Sequence, residues 1–196
     1  MRSRNSPLTD DAIVSLLGLS DVRIGRHASE SDDRDFWIQS IWRARILPSF
    51  DSDAFLVVAT CAEPWQPGVE PSTGIWARCR DLLGRPSTPP TIQWRKAILS
   101  LQGEPTVVEL PHDPVAVALR DMDLFEAYEY STLDGISYEF EIQTWSLHAS
   151  LSFGNPEVPS LHRLAKALLG VGREIGRVSC SKAVAEYLKV WTRYVA

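Results

Sequence analysis

The chain has 196 residues, of which 44% are hydrophobic and 23% charged, and its formal net charge is −5. A chain of this length can bury roughly 70% of the surface its unfolded form exposes, so it needs no metal or disulfide to hold a core. The composition also excludes the disordered and fibrous classes. Cys61, Cys79 and Cys180 are far apart, with no CxxC and no paired Cys/His spacing, which points to buried thiols in a reducing compartment rather than a disulfide framework.

The N-terminal MRSRNSPLTDD starts basic but lacks the apolar stretch of a signal peptide. The longest apolar runs, such as 54–60, fall far short of a bilayer span. A cytoplasmic protein without a membrane partner is expected, folded as a single domain over 1–196 with a loose tail at 1–8.

In chain order, a short helix or strand covers 10–17, with Thr9 or Asp10 as cap and Gly18 as its end, and a short strand is expected over 21–27. Residues 32–47 read as a helix: Ile38, Ile41, Trp42 and Ile46 are spaced as one apolar face. Asp32, Asp33 and Asp35 favour its first turn, and Arg43 and Arg45 its last. The continuous apolar run at 54–60 has the pattern of a strand covered on both faces. Ile75, Trp76, Cys79, Leu82 and Leu83 predict a helix at about 72–83, closed by Gly84.

Two strands follow, at 91–101 and 106–110, joined through Gln102-Gly103-Glu104-Pro105. Asp113 and Pro114 then open a short helix to about 120. The clearest signal is a three-stranded antiparallel meander at 124–153. Ile136, Tyr138, Phe140 and Ile142 alternate with Ser137, Glu139, Glu141 and Gln143, and Leu147, Ala149, Leu151 and Phe153 alternate with His148, Ser150 and Ser152. Leu124 to Ser131 is the expected first strand, Gly135 supplies a turn through positive φ, and a tight turn or bulge is placed near Trp145-Ser146. A helix starts at Pro159-Ser160 and is expected to fray and end at Gly170, Gly172 and Gly176. The last helix, at about 181–195, carries Val184, Tyr187, Leu188, Trp191 and Val195 on one side. Helices and hairpins alternate without a βαβ rhythm, so the fold class is α+β: an antiparallel sheet packed against several helices, two of them C-terminal.

No phosphate loop, dinucleotide fingerprint, HExxH, GxSxG or EF-hand pattern occurs, and no cofactor is expected. Among the weaker candidates for chemistry, Asp32, Asp33 and Asp35 with Glu30 can hold a hard cation, but a helix first turn accounts for them equally. His112-Asp113 has the composition of a base and its orienting carboxylate, yet Asp113 is already claimed as a cap. His148, with Ser150 and Ser152, and Cys61, at the end of a buried strand, are the residues around which a small hydrolase site can be imagined.

Charge is distributed unevenly. Between 104 and 141 ten acidic residues stand against Arg120 alone, a balance of −9; from 162 to 196 seven basic residues face two acidic ones, a balance of +5. An acidic sheet face formed by Glu126, Glu129, Glu139 and Glu141, with Tyr128 and Tyr130 beside it, invites a basic protein partner and disfavours nucleic acid. The alternative is neutralisation by the basic C-terminal helices. In size, acidity and lack of catalytic motifs the chain has the general character of bacterial toxin-neutralising (immunity) proteins, so a non-catalytic binding role is the leading expectation.

Overall fold

The structure, a computed structural model, describes residues 8–28, 35–63, 91–120, 122, 135–145, 147–155 and 158–195. Among these residues seven strands and four helices follow in chain order: α1 (Asp10–Leu17), β1 (Gly25–Ala28), β2 (Asp35–Pro48), β3 (Ala54–Ala62), β4 (Ile92–Leu101), β5 (Glu104–Glu109), α2 (Pro114–Arg120), β6 (Ile136–Thr144), β7 (His148–Gly154), α3 (Pro159–Ser179) and α4 (Lys182–Val195). The strands form one antiparallel sheet in the order β5-β4-β3-β2-β6-β7, with β1 pairing the first residues of β2. This is the expected α+β fold, with two helices at the C-terminus.

The stretch expected as a helix at 32–47 is, from residue 35 onward, the central strand β2, paired with β3 on one side and β6 on the other. A bulge explains why its sequence imitates a helix. Ile38 pairs with Cys61, but the next pair is Ser40 with Thr60, so one extra residue enters β2 and the alternation changes phase there. Phe36, Ile38 and Ile41 consequently face one side of the sheet, whereas Trp42, Ala44 and Ile46 face the other. The i, i+3, i+4 spacing of Ile38, Ile41 and Trp42 is thus two strand faces joined by a bulge. Their β-branched and aromatic side chains suit a pleated surface buried on both sides.

Helices pack on both faces, one of them only in part. On the larger side Trp42, Ala44, Ile46, Leu56, Leu99, Tyr138 and Phe140 pack against α2, α3 and α4. On the other, Ile13 and Leu17 of α1 sit on Ile41, Val57, Ala59, Cys61 and Ile98. Every residue of β3 is buried, as its continuous apolar run predicts. Thr9 caps α1 through Oγ1, 3.3 Å from Ala12 N.

The β6–β7 hairpin appears where alternation predicts it. Ile136, Tyr138, Phe140 and Ile142 are buried, and Thr144 N donates to Leu147 O across the turn at Trp145. The other side of β6 is occupied by β2; the expected partner at 124–131 lies outside the described residues, as does the helix expected at 72–83. Gly135 does not have positive φ. Its missing side chain leaves room for Asn155, whose Oδ1 would fall 1.5 Å from an added Cβ and instead accepts from Ile136 N at 2.9 Å.

Helix α3 runs unbroken through the three glycines to Ser179, against the expectation that they end it. Tertiary contact is the reason. A Cβ on Gly172 would lie 2.7 Å from Trp191 Cζ3, and one on Gly176 would lie 2.8 Å from Leu188 Cδ1. Gly172 and Gly176 let α4 approach closely, and the packing gained offsets their poor helix propensity.

Candidate functional site: a charged groove on the open half of the sheet

Helix α1 covers only part of its side of the sheet. Beside it lies a hollow with a cavity volume of about 520 Å³, floored by outward-facing residues of β3, β2, β6 and β7 and walled by Leu8 and Ile13. Strand register fixes its layout. Arg43 stands opposite Glu141 and Arg45 opposite Glu139; Glu141 stands opposite Ser150 and Glu139 opposite Ser152. Directly opposed residues share a face, so these side chains form ordered cross-strand rows.

The arginines are tied to several carboxylates. Arg45 Nη2 lies 2.8 Å from Asp53 Oδ2 and Nη1 lies 3.5 Å from Glu139 Oε2, while its guanidinium sits 5.4 Å from the Phe55 ring centre. Arg43 Nη2 lies 2.8 Å from Asp10 Oδ1 on α1. Glu141 Oε1 takes hydrogen bonds from Gln143 Nε2 and His148 Nε2, both at 3.0 Å. Partial burial pushes the Glu141 carboxyl upward, but the bonds from Gln143 and His148, with the Arg43 charge, outweigh it and hold it below the usual range.

The charges differ in height. The side chains of Glu139 and Asp10 are 57% and 58% exposed, those of Arg45 and Arg43 only 24% and 27%. The guanidiniums lie low in the groove and the Glu139 and Asp10 carboxylates stand nearer its mouth, whereas Glu141, 34% exposed, and Asp53, 15% exposed, lie deeper.

Of the six residues expected to bind a partner, Glu139 and Glu141 stand together in this groove; Glu126, Tyr128, Glu129 and Tyr130 lie outside the described residues. The counter-charges are Arg43 and Arg45 of β2, not the basic C-terminal helices, which pack on the opposite face. In the helix expected at 32–47 these arginines would stand in the last turn. The signal that could have found them was their period-two alternation with Trp42, Ala44 and Ile46.

The candidates for chemistry separate clearly. Cys61 is sealed under α1, and burial pushes its thiol up to about 12, with only a small opposing pull from Lys96. A thiol held protonated in the core cannot serve as a nucleophile. Asp113 uses one oxygen to cap α2, 3.0 Å from Val115 N, and the other to accept from Trp42 Nε1 at 2.9 Å. Both bonds are structural, so Asp113 is committed to the fold. His148 stands on the open face, 65% exposed. Its same-strand neighbour Ser150 is two residues away, about 6.6 Å along the strand, too far for a hydroxyl–imidazole bond without rearrangement. The cation candidates Glu30, Asp32 and Asp33, and the side chain of Asp35, lie outside the described residues. Among those described, no group of three His, Cys, Asp or Glu could hold a metal ion, and no helix is long and apolar enough to cross a membrane. Comparison with protein-family models, with curated proteins and with solved structures gives no match for this chain.

Proposed function

We propose that the protein is a non-catalytic binding module that docks a basic protein partner on the open half of its sheet. One observation carries this reading: the Glu139 and Asp10 carboxylates are more exposed than the Arg45 and Arg43 guanidiniums they pair with, so a ligand arriving from solvent meets negative charge first. Charge arranged this way steers association and selects against acidic partners. The finer form of the proposal is a toxin-neutralising, immunity-type protein that covers the basic surface of its target. The alternative, a small hydrolase, retains only the His148–Glu141 contact in its support, because Cys61 is unreactive where it lies.

The test is affinity capture from the source cells with the native protein and with the double variant Glu139→Lys/Glu141→Lys. Because the reversed side chains would lie beside Arg45 and Arg43, a Glu139→Gln/Glu141→Gln variant and a thermal melt of each accompany it. A basic protein should be retained by the native chain, weakened by the glutamine variant and lost from the lysine variant while all three remain folded. A partner retained equally by all three would refute the reading.

A further inference from the structure

We propose that the edge of β7 left unpaired among the described residues accepts an extended segment of the basic partner as an additional strand, with lysine or arginine at every second position. This rests on the reading of the sheet face as a docking face and names the segment it takes.

Hydrogen-bond phase supplies the first argument. Thr144 N donates to Leu147 O at 2.7 Å, and Asn155 N donates to Ile136 O at 2.8 Å. These are hydrogen-bonded pairs at the two ends of the hairpin, and Tyr138·Phe153, Phe140·Leu151 and Ile142·Ala149 fall in the same phase. The N–H and C=O groups of His148, Ser150 and Ser152 therefore point away from β6, toward the open edge. Among the described residues no strand lies beyond β7.

The two sheet edges also differ in protection. β5 carries Pro105 between charged ends Glu104 and Glu109, the devices that blunt an edge. Residues 148–153 of β7 have neither proline nor a permanent charge.

Side-chain size supplies the third argument. The three residues with outward backbone groups are also those whose side chains share the groove face. On an added strand, the residues hydrogen-bonded to Ser150 and Ser152 would project onto that face, about 9–10 Å from β6. Long cationic side chains there would pass over two small serines to reach Glu141 and Glu139, which stand directly opposite them. The intervening residues would face the helices beside Ala149 and Leu151, which are only partly buried against the main core, so apolar side chains fit there. The edge thus selects an alternating basic and apolar segment, with backbone bonds giving affinity and side chains giving specificity.

The experiment titrates a decapeptide of alternating lysine and valine into the ¹⁵N-labelled protein. Binding should protect the amide protons of His148, Ser150 and Ser152 from exchange. N-methylation at the lysines, whose amides would face β7, should weaken binding by at least roughly tenfold, whereas N-methylation at the valines should not. Ser150→Pro should act like lysine N-methylation, since the Ser150 N–H makes no bond to β6 and its loss leaves the ladder intact. If both methylated peptides bind alike while Glu139→Gln/Glu141→Gln weakens binding, edge pairing is wrong and face docking survives. If neither the glutamine variant nor Ser150→Pro alters binding, or if the peptide does not bind, both readings fall. A dimer of the free protein that dissociates on Ser150→Pro would also overturn the proposal, since a second copy would then occupy the edge.

Discussion

Replacing Gly172 by alanine separates local propensity from tertiary packing at one atom. In an unconstrained helix this change stabilises by about 1 kcal/mol. Here the new methyl would sit 2.7 Å from Trp191 Cζ3 and 3.0 Å from Leu188 Cδ2. Trp191 cannot swing aside easily, because its ring is fully buried and its Nε1 donates to Tyr138 OH at 2.9 Å. Forcing a methyl into a packed core costs about 1–3 kcal/mol, so the net effect should be destabilisation of about 1 kcal/mol. Gly170, two residues earlier, has open space where its Cβ would go, and Gly170→Ala should stabilise by about 1 kcal/mol. The difference between the variants, about 2 kcal/mol, cancels most of the propensity and isolates the contact with α4. Urea unfolding monitored by circular dichroism gives both values, with unchanged m confirming comparable transitions. Equal stabilisation by the two alanines would refute the close approach of α4 to Gly172.

Cys61 and Cys180 should differ in reactivity: with an alkylating reagent at pH 8, exposed Cys180 labels quickly, whereas Cys61, buried and with its thiol pushed up to about 12, labels only after unfolding; rapid labelling of Cys61 in the native protein, read by peptide mass spectrometry, would contradict its placement. The Glu141 carboxyl is held low in the folded chain, so its contribution to stability is present above the ordinary glutamate range and is lost as pH falls through the depressed folded value. Gln143→Leu, which removes one donor, should move the Glu141 titration upward, as followed by carboxyl carbon chemical shifts; an unchanged titration would discount that bond.

Strands whose pattern is local were legible in the sequence. The alternation of Ile136 to Gln143 already states which side of β6 is buried, because successive strand side chains point to opposite faces whatever the partner. The run 54–60 likewise announces a strand buried on both faces, and the Thr9 and Asp113 caps are made within a few residues of their own helices. The spacing of Ile38, Ile41 and Trp42, by contrast, fits a helix as well as it fits a bulged strand. Only pairing with β3 and β6, which brings residues from both sides of the chain onto β2, decides between them.

The same distinction governs the groove. Alternation along 136–153 is enough to put Glu139 and Glu141 on the polar face of a hairpin with His148, Ser150 and Ser152. It could not place Arg43 and Arg45 opposite those carboxylates, nor rank which charge stands higher, since both depend on contacts about a hundred residues apart along the chain. Nor could it keep α3 helical through Gly172 and Gly176, because intrinsic propensity penalises each glycine and the compensating contact with Trp191 and Leu188 exists only after α4 has docked. Alternation and capping are properties of neighbours in sequence; register, bulges and close helix approach are properties of neighbours in space, and the tertiary structure alone supplies those.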